Sequence, residues 1–225
     1  MSENDKIRIG VGIIFFNDYS SLKRCINSLH DGVDIIFAID GKFSTFPGDS
    51  QLSTDGSREL VKSYSKCLLI DYPQSEFEKR QKYLEYCSLY SVDILLIVDS
   101  DEFVLNSKDL ETLRRILKTV IFDRDKCQYN VYAVMLQSLD NRHEFVPHPR
   151  IWYNPSQMEY FAGRDYCFRN KDTKKINISN QPNFFSNVID GIELGHDHSL
   201  RSKYHLESRS IYQTWLVNFE RSLFQ

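Results

Sequence analysis

Three acids, Asp99, Asp101 and Glu102, crowd into four residues directly after the apolar run Ile94–Val98. Asp99 and Asp101 are two apart, so in an extended chain their side chains fall on one side and both carboxylates can converge on one cation. The same acids also fit a plainer reading, a polar exit from a strand with its charges in water. A second group lies far along the chain, where His196 and His198 alternate with Asp197. Both imidazoles share a face of an extended segment, an arrangement open to a structural as well as a metal-binding use. A third group, Glu78-Lys79-Arg80, sits in the first turns of a predicted helix. Basic residues there oppose the helix dipole, so the group is either a solvated face or the neighbour of an anionic partner.

The elements that must position these groups read as follows. Ile94–Val98 is rich in Ile, Leu and Val, as suits the middle of a parallel sheet covered on both faces. Acids at its carboxyl end then lie in the crevice where open α/β sheets bind ligands. Upstream, Ile7–Phe16 predicts a first buried strand. Asn17-Asp18-Tyr19-Ser20 offers helix caps, and Leu22, Cys25, Ile26 and Leu29 form one face of a helix that Gly32 ends. Val33–Ile39 is a second strand closing on Asp40-Gly-Lys42, which completes a βαβ unit. Gly10 and Gly12 do not make a dinucleotide fingerprint, because they lie inside the strand and the third glycine position is Phe15.

Phe43–Gly56 is a polar loop long enough to suggest function. Ser57–Ser65 predicts a short helix, Cys67–Asp71 a third strand, and Ser75–Tyr90 a helix with Phe77, Leu84 and Cys87 inward. The first hundred or so residues thus alternate βαβαβαβ, the pattern of an α/β sheet. Ser107 caps a further predicted helix with Leu110, Leu113, Leu117 and Val120 inward. Beyond it, Tyr129–Leu136 is strand-like. His143–Tyr153 and Met158–Phe168 are mixed polar and aromatic, with Pro147, Pro149 and Pro155 as breaks, and suggest antiparallel strands. Ile192–His198 predicts a short final strand and Tyr204–Phe224 a terminal helix. That helix stops without a cap, which suggests a piece of a longer polypeptide.

Composition bounds the function. With 225 residues, a net charge of −3, 41% apolar and 26% charged residues, the chain has an ordinary globular balance. It gives no electrostatic reason to expect nucleic acid or an anionic membrane. No apolar run approaches the ~20 residues of a membrane-spanning helix, and the first residues lack a signal-peptide pattern. Five widely spaced cysteines with no CxxC read as reduced thiols of a cytoplasmic protein, not as a disulfide frame or a zinc site.

Four stretches together resemble the GT-A glycosyltransferases, the inverting family-2-like group in particular: IGVGIIFFNDYSSLKRCINSL leading to AIDGK, EKRQKYLEYCSLYSVDILLIVDSDEF, HPRIWYNPSQMEYFAGRDYCF, and GHDHSLRSKYH. The resemblance implies one domain over residues 1–225, with a nucleotide-sugar-binding half at 1–104 and an acceptor-side half with the C-terminal helix at 105–225. The implied fold class is α/β: a Rossmann-like, mostly parallel sheet flanked by helices, with a smaller antiparallel acceptor-side portion. The implied activity is metal-dependent transfer of a sugar from a nucleotide-sugar donor, a UDP-sugar favoured, to a glycan or other hydroxyl acceptor, with inversion.

A divalent ion, Mn²⁺ or Mg²⁺, would neutralise the diphosphate. Imidazole among its ligands tilts the choice towards Mn²⁺. The resemblance makes Asp101 the direct metal ligand, puts Asp99 near the ribose or the metal, and supplies His198 or His196 from the final strand. His198 is preferred, since it lies nearer the Ser199-Leu-Arg201 loop. Arg80, Arg201 and Lys203 are candidates for the phosphates. Phe16, Asn17, Asp40, Lys42 and Ser100 are implied at the nucleotide, with Asp40 accepting from a uracil N–H. Inversion requires a carboxylate base, for which Asp165 is first and Glu159 second; the Glu-Asp and Gln-x-x-Arg-Trp pairs of many such enzymes are not found. Trp152, Tyr153 and Tyr160 could form a platform for a sugar ring or simply pack the core. Two rivals remain: a module that binds a nucleotide sugar or carbohydrate without turnover, and a phosphotransferase of the haloacid-dehalogenase type. The latter places its D-x-D near the chain start, whereas Asp99 follows three predicted strands.

Overall fold

The computed structural model describes residues 7–43, 46, 48–105, 114–115, 131–140, 145–160, 168–172, 176–177, 188–201, 206–208, 210 and 214. In chain order the elements are β1 (Ile9–Phe15), α1 (Tyr19–Leu29), β2 (Ile35–Asp40), α2 (Ser57–Lys62), β3 (Cys67–Asp71), α3 (Glu76–Leu89), β4 (Ile94–Asp99) and β5 (Glu102–Val104). There follow β6 (Val131–Ser138), β7 (Phe145–Tyr153), β8 (Met158–Tyr160), β9 (Phe168–Asn170), β10 (Ile176–Asn177) and β11 (Val188–His196). Eight strands form one sheet in the order β3-β2-β1-β4-β7-β6-β11-β5, and β10-β9-β8 form a small antiparallel sheet. The β3-β2, β2-β1, β1-β4 and β6-β11 pairs are parallel; the rest of the large sheet is antiparallel. The architecture is the expected mixed α/β one.

Strand parity sorts the core into two layers. Ile9, Val11 and Ile13 of β1 and Ile94, Leu96 and Val98 of β4 pack with Leu22, Cys25, Ile26 and Leu29 of α1. Phe37 and Ile39 of β2 and Leu95 and Ile97 of β4 pack on the opposite face with Tyr83, Leu84 and Cys87 of α3. Strands covered on both faces explain the unbroken apolar runs in the sequence. Gly10 and Gly12 belong to this packing. A Cβ at Gly12 would stand 2.9 Å from the Tyr83 ring, and one at Gly10 would stand 3.0 Å from Val92. The two glycines let α3 and its following turn settle onto β1, with no part in a phosphate loop. α3 starts where Ser75 predicts: Ser75 and Glu78 form a reciprocal capping box.

Three expectations need correction. Pro147 and Pro149 lie inside β7, paired with Met135 and Ala133 of β6. On the other side β4 pairs only with residues 151–153, so the missing proline N–H groups cost no ladder bond there. The last strand begins at Val188, earlier than predicted, and ends at His196, so His198 lies beyond it. The three-residue strand β5 was not foreseen. Most of the predicted helices after Ser107 and Tyr204 lies outside the described residues; of these segments, 114, 115, 206–208, 210 and 214 are helical. No helix among the described residues is long and apolar enough to cross a membrane.

Candidate active site

β4 delivers Asp99 to the carboxyl edge of the sheet, and the chain turns through Ser100 and Asp101 into β5. The Glu102 carboxylate closes this turn: its Oε2 accepts from Asp99 N at 3.0 Å. β5 then pairs antiparallel with β11, His196 opposite Glu102, and Asp197 N donates to Asp101 O at 3.2 Å. That ladder brings the histidines to the acid. Asp101 Oδ2 lies 3.0 Å from His196 Nε2, 3.2 Å from His198 Nε2 and 3.1 Å from Arg201 Nη1. The two rings meet edge to face with centroids 4.3 Å apart. Among the described residues, Asp101, His196 and His198 offer one ligand atom each, all within 4.8 Å of one another. A mixed set of two imidazole nitrogens and one carboxylate oxygen fits a divalent transition ion such as Mn²⁺.

Asp99 is not in this trio. Extended geometry ends with it, so the shared parity with Asp101 is lost in the turn. Its Oδ1 accepts from Arg80 Nη2 at 3.1 Å, and its Oδ2 is 3.6 Å from Arg150 Nη2. Arg80 is buried and also donates Nε and Nη2 to Glu76. The anionic partners of this cation are therefore the protein's own, and it is no solvated face. Arg80, expected at the phosphates, is bonded to Asp99 and Glu76. Its neighbour Lys79 is fully buried, donating to Gly41 O with its ammonium 3.6 Å from the centroid of the Phe43 ring. Burial pushes its pKa down to about 7, against the pull of Asp40 and Glu76.

Arg201 is close to fully engaged: Nε donates to Asp18 Oδ2 at 3.2 Å and Nη2 to Ser100 Oγ at 3.1 Å, in addition to the Asp101 contact. Ser100 in turn donates to Asp18 at 2.6 Å. Glu102 is buried with Arg150, Oε1 to Nη2 at 2.5 Å. Burial pushes the Glu102 carboxyl up to about 7; Arg150 opposes the shift and the Asp99 charge adds to it.

The expected nucleotide residues at the ends of β1 and β2 are found fastening the 43–56 loop. Phe16 packs edge-on to Phe46. Asn17, in a left-handed conformation at φ 49°, donates its N–H to Ser53 Oγ at 2.8 Å and accepts from Thr54 N at 2.8 Å. Asp40 is fully enclosed, accepting from Ser53 Oγ at 2.6 Å and from Arg58 Nη1 at 2.7 Å. Lys42 Nζ donates to Gly48 O at 2.7 Å. On the acceptor side, Glu159 is in an ion pair with its cross-strand partner Arg169 at 2.6 Å. Trp152 and Tyr160 are core residues: Trp152 packs on Phe168, and Tyr160 meets the Tyr83 hydroxyl at 2.8 Å. Asp165 and Lys203 lie outside the described residues.

Sequence reasoning missed Arg150, Asp18, Asp140 and the Arg24–Asp197 ion pair of 2.6 Å that braces the histidine turn. Arg150 had a signal, a lone cation directly before the apolar pair Ile151-Trp152. Asp18, Asp140, Arg24 and Asp197 are ordinary polar residues with partners remote in sequence.

No protein-family description matches the chain, and no curated protein matches it. Solved structures overlap it in part. Residues 1–349 of S. aureus TarS give a TM-score of 0.45 at 16% identity over 63% of this chain and 39% of that one. The same protein in complex with UDP-GlcNAc gives 0.45 at 16% over 63% and 37%. Glucosyl-3-phosphoglycerate synthase from Mycobacterium tuberculosis, in complex with Mn²⁺, UDP and phosphoglyceric acid, gives 0.39 at 15% over 60% and 45%. The chain spans less than half the length of these structures.

Proposed function

We propose that this chain is a GT-A-type glycosyltransferase domain, moving a sugar from a nucleoside-diphosphate donor, a UDP-sugar favoured, to a hydroxyl acceptor with inversion. The observation that carries the reading is the meeting of Asp101, His196 and His198 at the carboxyl edge of β4, with the Arg201 guanidinium on the same oxygen. Those three residues would hold Mn²⁺, or Mg²⁺ in its place, and the ion would supply Lewis-acid neutralisation of the departing diphosphate. Arg201 would add a planar cation for phosphate oxygens once it gives up its bonds to Asp18 or Ser100. Arg80 and Arg150 hold the Asp99 carboxylate beside this group. A carboxylate must take the acceptor's proton as the new glycosidic bond forms. Asp165 is the first candidate and Glu159 the second, the latter only once Arg169 gives up its ion pair. The acceptor is a glycan or another hydroxyl compound, and placement in the cytoplasm rests on the cysteine pattern.

The test is Mn²⁺-dependent UDP binding and release of UDP from UDP-sugars, with GDP- and dTDP-sugars beside them in a thermal-shift panel. Asp101→Ala is expected to abolish metal-dependent nucleotide binding. If it binds UDP with Mn²⁺ as tightly as wild type, the reading is wrong. Donor binding without any turnover would favour a non-catalytic module, and phosphate release from phosphomonoesters a phosphotransferase.

A further inference from the structure

β6 and β11 run parallel with Ser138 opposite His196. The pairing continues past both strand ends, since Leu139 N donates to His196 O at 2.9 Å. Carrying that register two residues further sets Asp140 beside His198. The side chains follow: His198 Nδ1 lies 3.3 Å from Asp140 Oδ2, while Ser138 Oγ donates to Asp140 Oδ1 at 2.6 Å. The other nitrogen of the same ring, Nε2, lies 3.2 Å from Asp101 Oδ2. His198 is therefore held between two carboxylates, one at each nitrogen. The neutral ring has one N–H for two carboxylates, so the contact at Nε2 needs either a second proton on the ring or a metal ion shared with the Asp101 oxygen. If Asp140 receives the N–H at Nδ1, the Nε2 lone pair is left for the cation.

We propose that Asp140 is the positioning residue of the metal site: it holds His198 as the Nδ1–H tautomer, with Nε2 presented to a divalent cation shared with Asp101. This rests on the metal-site reading above. It also separates the two histidines, because the Asp140 contact fixes the ring of His198 by both nitrogens.

The experiment compares wild type, Asp101→Ala, Asp140→Ala and Asp140→Asn by calorimetric titration with Mn²⁺ in the presence of UDP. It adds long-range ¹H–¹⁵N histidine spectra of the protein loaded with diamagnetic Zn²⁺. Asp101→Ala should abolish binding. Asp140→Ala should weaken it roughly 10- to 100-fold, the usual effect of losing a ligand's outer hydrogen-bond partner. Asp140→Asn keeps an acceptor without the charge and should fall between. The wild-type spectrum should show His198 protonated at Nδ1 and bound through Nε2, and Asp140→Ala should lose that preference. Binding lost in Asp101→Ala but unchanged in both Asp140 variants overturns the role of Asp140 and leaves the metal site standing. So does a wild-type His198 bound through Nδ1. Absence of Mn²⁺ binding in wild type, or binding that survives in Asp101→Ala, removes the metal-site reading and this inference with it.

Discussion

Arg150 is a buried cation, 2% exposed in its side chain, and Glu102 beside it is 1% exposed. Removing one member of such a pair leaves a buried charge uncompensated, which costs about 3–5 kcal/mol. Glu102 has a way to escape part of that cost. Burial raises its pKa from the ordinary 4.5 to about 7, so the folded state favours the protonated carboxyl. The stability tied to this group is fully present below about 4.5 and is lost as the pH rises through about 7. Arg150→Met, which keeps the stem and drops the charge, should extend that loss to higher pH. Urea denaturation is expected to find the variant close to wild type near pH 5 and most destabilised near pH 8. Equal destabilisation at both pH values would mean that Glu102 stays ionised throughout.

The parallel part of the sheet depends on how closely α3 approaches β1, and that approach was bought with glycine. Gly12→Ala would put a methyl group 2.9 Å from the Tyr83 ring. Tyr83 cannot swing away freely, because it is buried and its hydroxyl meets Tyr160. Overpacking of this kind costs about 1–3 kcal/mol. The denaturation midpoint should fall with an unchanged slope, and an unchanged midpoint would show that α3 is not tightly seated. β1 to β4 and their helices were legible because each announces itself locally, by an apolar run, a helical face or a cap such as Ser75. β5 was not, because three residues carry no period and Glu102–Val104 becomes a strand by pairing with β11. Asp101 and the histidine pair were recognisable as chemistry. That Asp99 stands apart from Asp101 and the histidines depends on one turn after β4. That Asn17 and Asp40 fasten a loop depends on Ser53 and Arg58. Neither fact has any local trace.

At the scale of the molecule, β11 is inserted between β6 and β5, and among the described residues it is the strand on which β5 pairs. Asp101 and His196 are 95 positions apart in the chain. Contacts so remote are slow to form, since the chain between them must be ordered before they return any energy. In refolding from denaturant, Mn²⁺ uptake is expected only in the slowest phase, after fluorescence has reported burial of Trp152. Uptake in an early phase would mean that the histidines reach Asp101 without the sheet. The strand order therefore makes competence the last thing this chain acquires. As it leaves the ribosome, the parallel half can close its core while the residues that would grip a cation are still unmade. A chain interrupted before β11 would lack both histidines that stand beside Asp101.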